Sequence, residues 1–203
     1  MKVLMTTCTD NGIWNDTLAL CKTLNKNTEI HLAALGWPDK NQQKEIQQFP
    51  NIILYKSGHA LGCNSLINAT VIQKAKNWIN SIYHTIHPNI IHLHTPIPLG
   101  NYRPEPVIYS YHSCNENITV QPNTISLKHK WCENLQQNTF NVTDVVLTEN
   151  STTIESLKQK FSGVHDMFMV LKKNAKNIMG AEGLNYNLLY ENLAYQKQIK
   201  KSA

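Results

Sequence analysis

The chain has 203 residues, of which 41% are hydrophobic and 16% charged, so it fits one domain or one domain with an appendage. Its net charge is +5, and part of the excess lies in the C-terminal tail, at Lys197, Lys200 and Lys201. Because no stripe of Lys and Arg with interleaved aromatic residues precedes that tail, the composition excludes a typical nucleic-acid-binding protein and allows at most peripheral contact with a membrane.

The first half of the chain alternates short apolar runs with segments of helical periodicity. Strands are predicted at residues 2–7, 29–35 and 51–55. Between the first two strands, the apolar face of a helix is predicted from Ile13, Trp14, Thr17, Leu18, Cys21 and Leu24. A longer amphipathic helix is predicted at residues 68–86, where one face carries Ile72, Ala75, Ile79, Ile82 and Ile86.

The second half repeats the same alternation after the sequence His87-Pro88 ends the long helix. Strands are predicted at residues 89–94, 106–112, 144–148 and 166–171. Helices are predicted around Leu127, Trp131 and Leu135, and from a capping box of Thr152 and Glu155 through Phe161. Strands and helices in this order are typical of an α/β fold, with a parallel sheet covered by helices on both faces.

The cysteines and the N-terminus indicate the compartment. The five cysteines are widely spaced and contain no CxxC pair, which excludes a disulfide framework and a zinc site: Cys8, Cys21, Cys63, Cys114 and Cys132. The N-terminus turns polar too early for a signal peptide, and no window approaches the roughly 20 apolar residues of a membrane span. These features predict a reduced, cytoplasmic protein.

Four strand ends carry polar residues, and ligands of open parallel sheets bind outside the carboxyl ends of the strands. These ends are residues 7–12, 92–95, 112–114 and 148–151. Polar residues at strand ends are also ordinary loop chemistry, so the pattern is equally compatible with plain loops.

The turn at residues 9–12 lies between the first strand and the first helix. Gly12 would let backbone N–H groups approach a phosphate at the helix N-terminus, although Asn11-Gly12 is also a plain turn sequence. Neither a GxGxxG motif nor a Walker A lysine is present, which argues against a standard dinucleotide or ATP site.

Two histidine segments are further candidates. His92 and His94 are interpreted as pointing to opposite faces, one toward a cleft and one under a helix, in preference to a metal site that lacks further ligands. His112 follows a strand and could act as acid, base or hydrogen-bond donor. Cys114 would make a Cys–His nucleophile pair with His112, but no third residue that would orient them is visible.

Five segments, taken in order, resemble family-4 glycosyltransferases of the GT-B type. The resemblance covers residues 1–176 and rests on the series as a whole: MKVLMTTCTDNGIWNDTLALCKTL, PNIILYKS, IHPNIIHLHTP, PVIYSYHSC and TDVVLTENSTTIESLKQKFSG. It implies a Rossmann-like domain, the N-terminal, acceptor-side half of the GT-B fold, at residues 1–176.

The resemblance also implies roles for individual residues. Asn11 and Gly12 would face the donor diphosphate, and His112 would be the catalytic histidine that faces the reacting sugar. His94 would line the acceptor cleft, together with the strand end Thr148, Glu149, Asn150 and Ser151. Asn11 departs from the family, which has a glycine there, and Asn115-Glu116-Asn117 replaces an aromatic stretch.

The end of the chain departs most from the family. Residues 169–176 resemble the linker to a donor-binding domain, but only 27 residues remain after Lys176. Residues 177–203 are predicted to form the family's closing helix and a basic tail, with apolar residues at helical spacing: Leu184, Leu188, Tyr195 and Ile199. The sequence is therefore interpreted as a transferase whose donor-binding domain is largely absent.

The resemblance predicts transfer of a sugar from a nucleotide-sugar co-substrate to a hydroxyl acceptor, with no cofactor and no metal. The predicted partners are a donor-domain subunit or a full-length glycosyltransferase, and a sugar or glycolipid acceptor. Two alternatives remain open: a non-catalytic binding or regulatory module, and an inactive remnant.

Overall fold

Seven strands form one parallel sheet in the computed structural model, which describes residues 1–9, 11–61, 69–97, 99–100, 104–112, 127–148, 150–161, 163, 168–170 and 185–202. The strands are β1 (Lys2–Cys8), β2 (Glu29–Leu35), β3 (Ile52–Ser57), β4 (Ile90–Leu93), β5 (Val107–Ser110), β6 (Val145–Thr148) and β7 (Phe168–Val170). The helices are α1 (Asn11–Thr23), α2 (Lys40–Gln47), α3 (Ala69–Ile86), α4 (Leu127–Phe140), α5 (Ser151–Lys160) and α6 (Tyr186–Ser202). This confirms the predicted Rossmann-like α/β fold.

The strand order places a crevice beside β1. The order across the sheet is β3-β2-β1-β4-β5-β6-β7, and every neighbouring pair is parallel. The chain builds outward from β1 to β3 and then crosses to the other side of β1 to begin β4. In doubly wound sheets this switch point is where the loops at the carboxyl ends of the strands separate and ligands bind.

Each face of the sheet packs against three helices. On one face, Ile79 of α3, Phe140 of α4 and Leu157 of α5 are buried in a single apolar cluster. On the other face, Trp14 of α1 and Ile46 of α2 share a second cluster with Leu189 and Tyr190 of α6. Most strand residues are apolar because both faces of a parallel sheet are covered.

Two helix starts differ from the sequence prediction. The predicted capping box of Thr152 and Glu155 is wrong: Asn150 is the N-cap of α5, and its side chain accepts from the backbone N–H of Thr153. A complete capping box instead begins α2, where Asp39 and Gln42 exchange hydrogen bonds. Sequence periodicity missed α2 because its eight residues, KNQQKEIQ, contain a single apolar side chain.

The predicted C-terminal helix is present as α6, but its buried face is not the predicted one. The predicted stripe is wrong, because Leu188, Tyr195 and Ile199 are all more than half exposed. Leu189 and Tyr190 are buried against the sheet instead. Leu184 lies outside the described residues. Within the described part of the chain, no helix combines the length and the hydrophobicity that crossing a membrane requires.

Candidate functional site

His112 lies at the carboxyl edge of the sheet, two residues after β5 ends, and its side chain is 14% exposed. Its Nε2 atom is 3.2 Å from Nδ1 of His94, and its Nδ1 atom is 3.5 Å from a carboxylate oxygen of Asp16 on α1. The structure therefore brings the predicted catalytic histidine to the switch point between β1 and β4. Asp16 was not predicted as a site residue, although it directly precedes Thr17, which was predicted to lie on the buried face of α1.

His92 and His94 point to the same face of the sheet, so the expectation of opposite faces was wrong. Side chains alternate along a strand with a period of two residues, which places residues 92 and 94 on one side. Their rings stack with centroids 4.5 Å apart, and His94 stacks on His112 at 5.5 Å. We call His92, His94 and His112 the histidine stack.

The inner end of the histidine stack is tied to two other elements. His92 Nδ1 is 2.6 Å from the Tyr190 hydroxyl on α6, and its Nε2 is 2.8 Å from the Ser110 hydroxyl at the end of β5. His92 and Tyr190 are fully buried. One histidine of the pair is thus packed under a helix, as predicted. The other, His94, is only 4% exposed and reaches the edge of the sheet through His112.

The turn after β1 leads directly into α1. Asn11 is the first residue of the helix and Gly12 is exposed, whereas Asp10 lies outside the described residues. The end of β2 approaches this turn closely: Gly36 has a φ of +122°, and a Cβ there would lie 2.6 Å from the Thr9 hydroxyl. Only glycine fits this backbone position, so the β2 end is constrained beside the turn.

The end of β6 uses its side chains locally. The buried Thr148 hydroxyl donates to the backbone oxygen of Asn150. The Asn150 side-chain oxygen accepts from the N–H and hydroxyl of Thr153 and from the Thr152 hydroxyl. Ser151 is the exposed first residue of α5, and Glu149 lies outside the described residues. Roles for these residues in acceptor binding stay predictions.

Burial keeps the inner histidines neutral. Loss of hydration lowers the pKa of His92 to about 3, with a further contribution from His112. Burial also lowers the pKa of His94 well below its usual value, helped by its two histidine neighbours. Burial raises the pKa of the Tyr190 hydroxyl. At neutral pH these three groups are uncharged, so hydrogen bonds and ring packing hold them together.

The lowered pKa of His92 predicts that the protein loses stability at acidic pH. An unfolded histidine has a pKa of about 6.5, so between pH 6.5 and 3 the unfolded chain binds more protons than the folded one. The free energy of unfolding should fall as pH drops through this window, by about 1.4 kcal/mol per pH unit from His92 alone. Urea unfolding at pH 7, 6 and 5 measures the slope. His92→Gln should give a shallower slope, and equal slopes would contradict this assignment.

Three of the four ring nitrogens of His92 and His94 take part in hydrogen bonds. Both ring nitrogens of His92 are engaged by hydroxyl groups, and His94 Nδ1 is engaged by His112. Within the described ranges, no group of three or more His, Cys, Asp or Glu side chains is arranged to hold a metal ion.

The comparisons with known proteins agree with this architecture. The sequence profile of Glycosyltransferase Family 4 matches residues 11–166. The fold is similar to a UDP-N-acetylglucosamine 2-epimerase, with a TM-score of 0.56 and 14% identity over 84% of this chain and 48% of that one. It is also similar to the UDP-N-acetylglucosamine 2-epimerase from Rickettsia bellii, with a TM-score of 0.51 and 13% identity over 83% and 44% of the two chains.

The structural likeness shows the fold alone, because the identities are low. The chain spans about half the length of these solved structures or slightly less. A sequence search of curated proteins finds no significant match. The family profile, in contrast, covers most of the sequence, including β2 to β6 and the candidate histidine His112. The chain belongs to glycosyltransferase family 4.

Proposed function

We propose that this chain provides the acceptor-side half of a sugar transferase, which moves a sugar from a nucleotide-sugar donor to a hydroxyl group of a sugar or glycolipid acceptor. The observation that carries the proposal is the position of His112 at the switch point of the sheet, in contact with α1 through Asp16. The helix that begins at Asn11 and Gly12 and the candidate histidine therefore border one crevice, where ligands of such sheets bind.

The reaction needs two kinds of help from the protein. The acceptor oxygen forms a bond to the anomeric carbon as the bond to the diphosphate oxygen breaks, and the proton of the acceptor hydroxyl passes to the leaving diphosphate. Positioning the two substrates and stabilising the charge on the leaving diphosphate supply the rate enhancement. We assign the first task to this chain, together with a hydrogen bond from His112, and part of the second to backbone N–H groups of Asn11 and Gly12.

We further propose that a donor-binding domain from another chain completes the site, either a donor-domain subunit or a full-length transferase. The solved structures that this chain resembles are about twice its length. The reading frame next to the gene is the first place to look for such a partner. The buried cysteines Cys8 and Cys21 are not in disulfides, which is consistent with the cytoplasm as the compartment we propose.

The purified 203-residue chain should not turn over a nucleotide sugar by itself. A release assay for nucleoside diphosphate, run on a panel of nucleotide sugars with and without added sugar acceptors, measures this directly. We expect rates equal to the buffer control, because the charge on the leaving diphosphate would lack most of its stabilising groups. Robust turnover by the pure monomer would show that the chain needs no partner.

A second candidate is a non-catalytic module that binds and regulates a complete transferase. Two observations favour it. Both ring nitrogens of His112 already contact protein side chains, and Thr148 and Asn150 form hydrogen bonds within their own segment. Capture of a full-length transferase without any gain in turnover would support this alternative. An inactive remnant is the third, and expression only as aggregate would support it.

A further inference from the structure

The histidine stack contains two members that the proposed transfer reaction does not use. We propose that His94 is a positioning residue, which holds the proton of His112 on Nδ1, and that Tyr190 of α6 anchors the stack through His92. The inference deepens the proposed function, and it rests on that function only for its effect on transfer.

The inner end of the stack is fixed in orientation. His92 is held at one ring nitrogen by Tyr190, at 2.6 Å, and at the other by Ser110, at 2.8 Å. All three side chains are buried, so a flip or rotation of the His92 ring would leave polar atoms buried without partners. His94 stacks on this immobile ring, which restrains the plane of its own imidazole.

The hydrogen-bonding pattern of His94 assigns the protons. A neutral imidazole carries one N–H and one lone pair. Among the described residues, the buried Nε2 atom of His94 has no hydrogen-bond partner, whereas Nδ1 lies 3.2 Å from His112 Nε2. We therefore place the lone pair of His94 on Nε2, which has no partner. The proton of His94 then lies on Nδ1, where His112 Nε2 accepts it. Burial lowers the pKa of His94 well below its usual value, which agrees with a neutral ring.

The same assignment fits the outer end of the stack. If His94 Nδ1 donates, then His112 Nε2 accepts and the His112 proton resides on Nδ1. That atom faces the Asp16 carboxylate at 3.5 Å, the group that stabilises a proton there. Asp16 is 40% exposed, so this side of the ring is the one toward the open edge. The N–H of His112 is thus directed toward Asp16 at the open edge, and its lone pair is turned inward to His94.

NMR of the chain labelled with ¹⁵N-histidine tests the assignment without any transfer assay. Long-range ¹H–¹⁵N spectra at neutral pH distinguish protonated from unprotonated ring nitrogens. We expect His112 as a single tautomer, protonated at Nδ1, and His94 likewise. A wild-type spectrum with His112 protonated at Nε2, or as a tautomer mixture, would overturn the proposal even if no variant folds.

Variants separate positioning from packing. His94→Leu removes the donor and should convert His112 to a tautomer mixture, whereas His94→Asn keeps a donor near the Nδ1 position and should restore the single tautomer. Tyr190→Phe should broaden or split the His112 signals, and Tyr195→Phe, at a 65% exposed position of the same helix, should not. An unchanged His112 spectrum in folded His94→Leu would refute the role of His94.

In a complex with a donor domain, His94→Leu should lower kcat about 10²-fold with little change in the KM of the donor, and His94→Asn should recover most of the rate. A kcat equal to that of the wild type would refute positioning. Because the spectra are recorded on the chain alone, an absence of transfer activity would count against the proposed function and leave the tautomer result standing.

Discussion

Replacing His112 with alanine is expected to lower the rate of sugar transfer about 10²–10³-fold in a complex that contains a donor domain, because a hydrogen bond to the reacting groups is lost. The structure places the imidazole at the switch point of the sheet, within reach of α1. Initial rates of nucleoside diphosphate release, measured at saturating donor and acceptor, give the effect on kcat.

The fold should survive this change. His112→Ala removes the contacts to His94 and Asp16 and leaves the buried His94 Nδ1 without a partner, a loss of about 1–3 kcal/mol, so the melting temperature should fall by about 2–12 °C. His84→Ala, on the exposed surface of α3, is the matched control and should leave both the rate and the melting temperature unchanged. An unaltered rate in folded His112→Ala would mean that the histidine is structural.

Replacing Phe140 with alanine should cost about 3–5 kcal/mol of unfolding free energy. The Phe140 side chain is 1% exposed and lies at the centre of an aromatic group, with ring centroids 5.5 Å from Tyr109, 6.4 Å from Tyr111 and 5.0 Å from Phe161. Truncation removes these contacts and leaves a cavity between α4, α5 and the sheet. Urea unfolding of the wild type and the variant measures the loss.

An exposed aromatic residue provides the comparison for Phe140. Tyr195 on α6 is 65% exposed, so Tyr195→Ala should change the unfolding free energy by no more than about 0.5 kcal/mol. A loss below about 1 kcal/mol for Phe140→Ala would show that α4 contributes little to the stability of this face.

The sheet was predictable because its signals are local. The run Glu29–Leu35 has five apolar residues among its seven and became β2 with the same bounds. The six residues predicted to face the core from the first helix are all buried, five in α1 and Leu24 directly after it, because helical spacing alone selects them. The neighbouring α2 escaped prediction for the same reason, since its apolar face is nearly absent and its start depends on the Asp39 cap.

The face of α6 was not predictable from spacing, because both sides of the helix carry apolar residues. Leu188, Tyr195 and Ile199 form one stripe, and Leu189 and Tyr190 belong to another. The hydrogen bond between Tyr190 and His92 joins residues 98 positions apart and is compatible with burying only the second stripe. A contact of that kind leaves no trace in the periodicity of either segment.

The candidate site was predicted in part. His112 and the start of α1 were identified from strand ends and the family resemblance, but Asp16, Ser110 and Tyr190 were not. These side chains join the histidine stack through contacts between distant segments. The two-residue period of a strand places His92 and His94 on one face, so the sequence did contain a signal for the stack.

The most direct test of the account is sugar transfer by this chain mixed with a separately expressed donor domain of the family. Formation of glycosylated acceptor and release of nucleoside diphosphate are measured together, for each half alone and for the mixture. We predict that both products form in equal amounts in the mixture, and that neither half alone exceeds the buffer control. A stable complex in which turnover is no faster than with the separate halves would contradict the proposed catalytic role.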